Sequence, residues 1–129
     1  MKLNRASLAD KAGWAAVHVE LPKYDVAAVA EATKKAPTWV HFGTGNIFRA
    51  YIAALAQRML NEGLTDKGLL MANTNDPAIL DIAYAPFDNL CIAVTLNPDG
   101  TTSREIIGSI GEGIKAHSSD EAGMAPFPG

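Results

Sequence analysis

Along this chain the apolar positions follow a helical rhythm, then an unbroken run, then a helical rhythm again, and finally two β-rich runs around a turn. Residues 1–36 carry the first rhythm. Ser7 precedes the stretch Leu8–Ala16 and is placed as its N-cap. Asp25 caps Val26–Lys35, in which Val26, Ala27, Val29, Ala30 and Ala32 lie near one face. Pro22 separates the two helices and Pro37 ends the second. Thr38-Trp39-Val40-His41-Phe42 then forms a short β-rich run without polar alternation, the pattern of a parallel strand covered on both faces.

Gly43-Thr44-Gly45-Asn46 follows directly. After it, Ile47 to Glu62 is helical, with Ile47, Tyr51, Leu55, Met59 and Leu60 at near-helical intervals and Gly63 as the stop. A second apolar run, Leu69-Leu70-Met71-Ala72, completes a strand, glycine turn, helix, strand unit, whose length suits a right-handed crossover between parallel strands. The pattern then changes. Asn73-Thr74-Asn75-Asp76-Pro77 is a loop, Ala78–Tyr84 a short helix that Pro86 ends, and Leu90–Leu96 and Thr101–Ile110 flank the turn Asn97-Pro98-Asp99-Gly100. That is a β-hairpin rather than another βαβ repeat. From His117 onward no periodicity remains. The predicted fold class is α/β: a Rossmann-like domain over residues 37–116 with an added β-hairpin, incomplete, preceded by a helical arm over 1–36 and followed by an irregular tail over 117–129.

Composition narrows the function classes. The chain has 129 residues, the size of one domain, with 48% apolar and 19% charged residues, which describes a globular protein rather than a disordered or membrane-embedded one. Eleven Lys and Arg against 14 Asp and Glu leave a net charge of −3, no footprint for a nucleic-acid partner. No apolar window has the length of a signal peptide or a membrane span. The single cysteine, Cys91, lies in the run Leu90-Cys91-Ile92-Ala93-Val94 and reads as a small core hydrophobe. The expected setting is cytoplasmic, with no membrane partner.

The chemistry concentrates in the glycine turn. Between a buried strand and a helix, missing Cβ atoms let backbone N–H groups approach a pyrophosphate while the helix N-terminus adds partial positive charge. Gly43 makes the tight turn and Gly45 the close approach; Asn46 offers a cap or donor at the helix start; Arg49 is placed to reach a phosphate. Phe48 stands where the dinucleotide fingerprint has its third glycine. His41 reads as a core histidine, and no His, Cys or carboxylate spacing points to a metal.

The segment Trp39-Val-His-Phe-Gly-Thr-Gly-Asn-Ile-Phe-Arg-Ala50 resembles the opening of the cofactor domain in the polyol-specific long-chain dehydrogenases, the mannitol dehydrogenase and fructuronate (mannonate) reductase family. Tyr24-Asp25, the hairpin from Cys91 to Gly100 and Glu105–Ile110 extend the likeness over about residues 20–115. The family commonly lacks the third glycine. The resemblance implies an N-terminal NAD(P)-binding part of a polyol or uronate oxidoreductase, with the cofactor on Gly43, Gly45, Asn46, Ile47 and Arg49. The position closing the second strand, where the ribose is read, is Asn73, and Asp76 three residues later either reaches the ribose or caps the next helix. NAD is favoured over NADP because the nearest basic residue after Asn73 is Arg104. The family's catalytic lysine, asparagine and histidine residues belong to an all-helical C-terminal domain. No catalytic residue is therefore assigned here, and the chain alone is expected to be inactive toward its small-molecule substrate, a sugar acid or polyol. Two other readings keep the architecture: an S-adenosylmethionine-binding methyltransferase-like domain, and a binding module without catalysis.

Overall fold

The structure, a computed structural model, describes residues 2–45, 47–73 and 78–115. Two three-stranded sheets are present among them. The first has the order β2 (Val40–Phe42), β3 (Leu69–Asn73), β6 (Ile110–Lys115), and both pairings are parallel. The second has the order β1 (Val19–Glu20), β5 (Thr102–Ile107), β4 (Cys91–Leu96), with β1 parallel and β4 antiparallel to β5. Helices α1 (Lys11–Ala16), α2 (Val26–Lys35) and α3 (Ala53–Asn61) pack around them. This is an α/β arrangement with a Rossmann-like βαβ unit and an added hairpin.

β3 lies in the centre of its sheet, and all five of its residues are buried. Leu69 and Met71 join Phe48, Ala53, Ala56, Leu80, Tyr84, Ile107 and Ile110 in one core. A smaller core gathers Trp14, Val19, Val26, Leu90 and Ile106 beneath the N-terminal arm. Gln57 joins the two halves. This fully buried amide donates to the Ile106 carbonyl at 2.5 Å and accepts from the Gly108 N–H at 2.9 Å and from the Tyr24 hydroxyl. Next to it the Ser109 hydroxyl donates to the Ala53 carbonyl at 2.6 Å, so α3 holds both sides of the β5 to β6 connection.

Asp25 caps α2 as predicted, its side chain accepting from the Ala28 N–H at 3.1 Å. The first helix differs. Ala6–Ala9 is a 3₁₀ turn, and α1 begins only after Asp10, which accepts from the Gly13 N–H at 3.0 Å. Ser7 is instead engaged with Asn4, its N–H donating to the Asn4 side chain and its hydroxyl to the Asn4 carbonyl. The arm also contains a strand that its helical pattern hides, since β1 pairs with β5.

The helix after the glycine turn forms, and Gly63, with φ of +73°, ends it. Of the predicted apolar positions Leu60 is buried, but the rest of the buried face differs. Residues Phe48–Ile52 wind as a π turn, with the Ala53 N–H bonded to the Phe48 carbonyl, and this wider turn resets the helical phase. Phe48, Ala53, Ala56, Gln57 and Leu60 face inward, leaving Ile47 81% and Tyr51 67% exposed, with Leu55 also outside. β2 departs from expectation in the same direction. It is an edge strand, not one covered on both faces, and Phe42 is 59% exposed. The hairpin forms with its turn as read, Gly100 having φ of +87°, but its second strand stops at Ile107. Gly108 and Ser109 then redirect the chain into β6 alongside β3.

Candidate functional site

The carboxyl ends of β2 and β3 lie side by side, and the glycine turn leaves from the first of them. The Gly43 N–H donates to the Ala72 carbonyl at 2.8 Å, extending the β2 to β3 ladder by one residue. Gly43 then takes φ of +128°, a conformation that side chains disfavour, so the sharp exit from β2 requires this glycine. Gly45 is different. It is exposed, its φ is not positive, and a Cβ built on it meets nothing within 4 Å. Nothing in the surrounding protein calls for a glycine there, whereas a group approaching the backbone from outside would.

Thr44, between the two glycines, is held at two points. The Tyr84 hydroxyl donates to its carbonyl at 2.6 Å, and the Asn73 amide donates to its hydroxyl at 2.7 Å. Burial pushes the Tyr84 phenol up to about 12, with the nearby Arg49 charge opposing the shift, so the phenol stays protonated and donating at neutral pH. The Arg49 guanidinium lies 5.3 Å from the centre of the Tyr84 ring, a cation–π contact. Phe48 stacks on His41, their rings 4.5 Å apart and inclined by 13°. The missing third glycine is therefore filled by a core aromatic, and His41 is a half-buried stacking partner rather than a fully enclosed histidine. Cys91 packs at the edge of the same core, where burial pushes its thiol up to about 11.

Of the residues singled out from the sequence, Gly43, Gly45, Arg49 and Asn73 come together at this corner. Ile47 is at the start of the helix with its side chain outside. Asn46 and Asp76 lie outside the described residues. Asn73 is buried and turned onto the glycine loop, so in this structure it positions Thr44. Tyr84 was not readable as a site residue, because its bond to Thr44 spans 40 positions. Lys115 was missed for the same reason. It pairs in register with Asn73 across β3 and β6 and is nearer to the sheet's carboxyl edge than any sequence count suggests.

No family model matches the chain. The D-mannonate oxidoreductase of Thermotoga maritima is 44% identical over 119 residues, 92% of this chain. The chain is similar to part of a polyol or uronate dehydrogenase. The mannitol 2-dehydrogenase of Pseudomonas fluorescens, solved as a ternary complex with NAD and D-mannitol, aligns over 95% of the chain with 26% identity and a TM-score of 0.68. A D-sorbitol dehydrogenase in substrate-free form aligns over 81% with 22% identity and a TM-score of 0.65, a likeness of fold. The chain spans about a fifth of each relative: 22% of the oxidoreductase, 23% of the mannitol and 21% of the sorbitol enzyme. The family resemblance and the Rossmann-like fold read from the sequence both hold.

Proposed function

We propose that this chain is the cofactor-binding part of an NAD-dependent polyol or uronate oxidoreductase that transfers hydride between nicotinamide and a sugar acid or polyol. The observation that carries the reading is Gly45: an exposed glycine that the fold itself does not require, next to Gly43, whose positive φ aims the loop, at the carboxyl end of a parallel strand. In such α/β folds that is where a dinucleotide pyrophosphate sits. The donor set fits the group. The Gly43 N–H is taken by the Ala72 carbonyl, so the backbone N–H groups of Thr44 and Gly45 and the guanidinium of Arg49 are the groups that suit phosphate oxygens, with Asn46, Ile47 and Asp76 completing the proposed contacts. Asn73 holds Thr44 at its hydroxyl and Tyr84 at its carbonyl, so the loop is shaped before any ligand arrives.

When bound, NAD supplies the hydride-accepting ring; the chain's own work is to bind and orient it. The proton-transfer groups are proposed to belong to a helical domain elsewhere in the full-length enzyme. The exposed apolar row of Phe42, Ile47 and Tyr51, beside the glycine turn, suits contact with that domain. A cytoplasmic setting fits a nicotinamide-linked sugar reductase. Titrating the protein with NADH, NADPH and S-adenosylmethionine, followed by calorimetry, tests the reading. Saturable NADH binding without S-adenosylmethionine binding is expected; no nicotinamide binding by the folded chain refutes it.

A further inference from the structure

Resting on that reading, we infer that the Lys115–Asp81 ion pair is a selectivity device that keeps the adenosine end of the site suited to NAD rather than NADP. Lys115 ends β6 and Asn73 ends β3; the two are register partners on adjacent strands, so they lie side by side at the carboxyl edge of the sheet. The residue closing this second strand of the βαβ unit is where the ribose of a dinucleotide is read. A 2′-phosphate there would draw on the cations that line the cleft, Arg5, Lys34 and Lys115, of which Lys115 is the one that stands on the strand beside Asn73. Its Nζ donates to Asp81 Oδ2 at 2.7 Å, however, and Asp81 lies in the first turn of the helical segment Leu80–Tyr84 that follows β3. The carboxylate cancels the charge a 2′-phosphate would seek and adds one that repels it. A cleft of 730 Å³ opens against both side chains, lined also by Leu80, Gly113 and Ile114, so solvent and ligand groups have access to the pair.

Both partners are solvent-accessible, Asp81 at 63% and Lys115 at 38%, so neither is needed to fold the chain. The decisive variant is Asp81→Asn, which keeps the size and a hydrogen-bonding oxygen and removes the charge. Calorimetric titration of wild type, Asp81→Asn and Asp81→Asn/Lys115→Met with NADH and with NADPH separates the terms. Asp81→Asn is expected to tighten NADPH by about tenfold while NADH stays within about twofold, since one like charge is removed near a partly exposed phosphate. The double variant is expected to lose that gain, and the NADPH gain is expected to shrink as salt rises. If wild type binds NADH but Asp81→Asn moves both cofactors equally or not at all, the selectivity role is overturned and the cofactor reading stands. A selective loss of NADH affinity would assign the Asp81 carboxylate to the ribose itself and also overturn it. If wild type binds neither cofactor, the cofactor reading fails and this inference with it.

Discussion

Gly45→Val separates a glycine kept for a ligand from one kept for the fold. Gly45 is exposed, lies outside the positive-φ region and has nothing within 4 Å of its missing Cβ, so valine adds bulk to open space and should change stability by less than about 0.5 kcal/mol. Under the proposed function the same bulk stands where a pyrophosphate oxygen would come within hydrogen-bonding distance of the backbone. A hydrogen bond to a charged group contributes about 1.5–3 kcal/mol, so losing even one weakens NADH by about ten- to 150-fold. Two other glycines calibrate the result. At Gly68 a Cβ would stand 2.0 Å from the Ser109 carbonyl oxygen, so Gly68→Ala must force β3 and β6 apart and should unfold or severely destabilise the protein. At Gly43 the φ of +128° makes Gly43→Ala cost about 1–3 kcal/mol and distort the loop, lowering stability and affinity together. Urea titration reads stability and NADH fluorescence reads binding. A folded Gly45→Val protein with wild-type NADH affinity would refute the argument.

Gln57→Leu should lower stability by about 3 kcal/mol in urea titration, because it strands the buried Ile106 carbonyl and Gly108 N–H and also removes the partner of the half-buried Tyr24 hydroxyl. Stability should also fall above pH 9. Cys91 and Tyr84 are raised from 9.0 and 10.0 to about 11 and about 12, so between those limits the unfolded chain gives up protons that the folded chain retains, favouring unfolding as pH rises. Urea midpoints measured from pH 7 to 11 check this; a midpoint that rises between pH 9 and 11 contradicts the burial of both groups.

What the sequence makes legible here depends on whether an element announces itself through its own side chains. β3 does over Leu69–Ala72, because an unbroken apolar run has only one comfortable environment, whereas Asn73, read as the start of a loop, is the buried last residue of the strand. The hairpin does, through a turn whose proline and glycine preset the backbone. β6 does not. Gly111 and Gly113 stand where Thr33, Met71 and Leu80 press against the strand, closer than a Cβ would allow, so the close packing that defines the strand has removed the apolar residues that would reveal it. The candidate site divides the same way. Gly43 and Gly45 are visible because they stand two positions apart in sequence and are chemically distinctive, whereas Tyr84, Asp81 and Lys115 reach the corner only through the tertiary fold.

The apolar row on the first helix of the βαβ unit carries the subtler lesson. Its spacing reads as a core face, yet a π turn one residue wider than an α turn moves Phe48 and Ala53 inward and leaves Ile47 and Tyr51 out, and Phe42 of the edge strand is exposed as well. Three large exposed apolar side chains close in sequence to the glycine turn are costly to leave in water, at about 25 cal/mol per Å². A periodic pattern records that a face prefers burial and says nothing about which segment buries it. Under the proposed function that segment is the substrate domain of the longer enzyme, placed where a nicotinamide held by the glycine turn would have to be shielded from water.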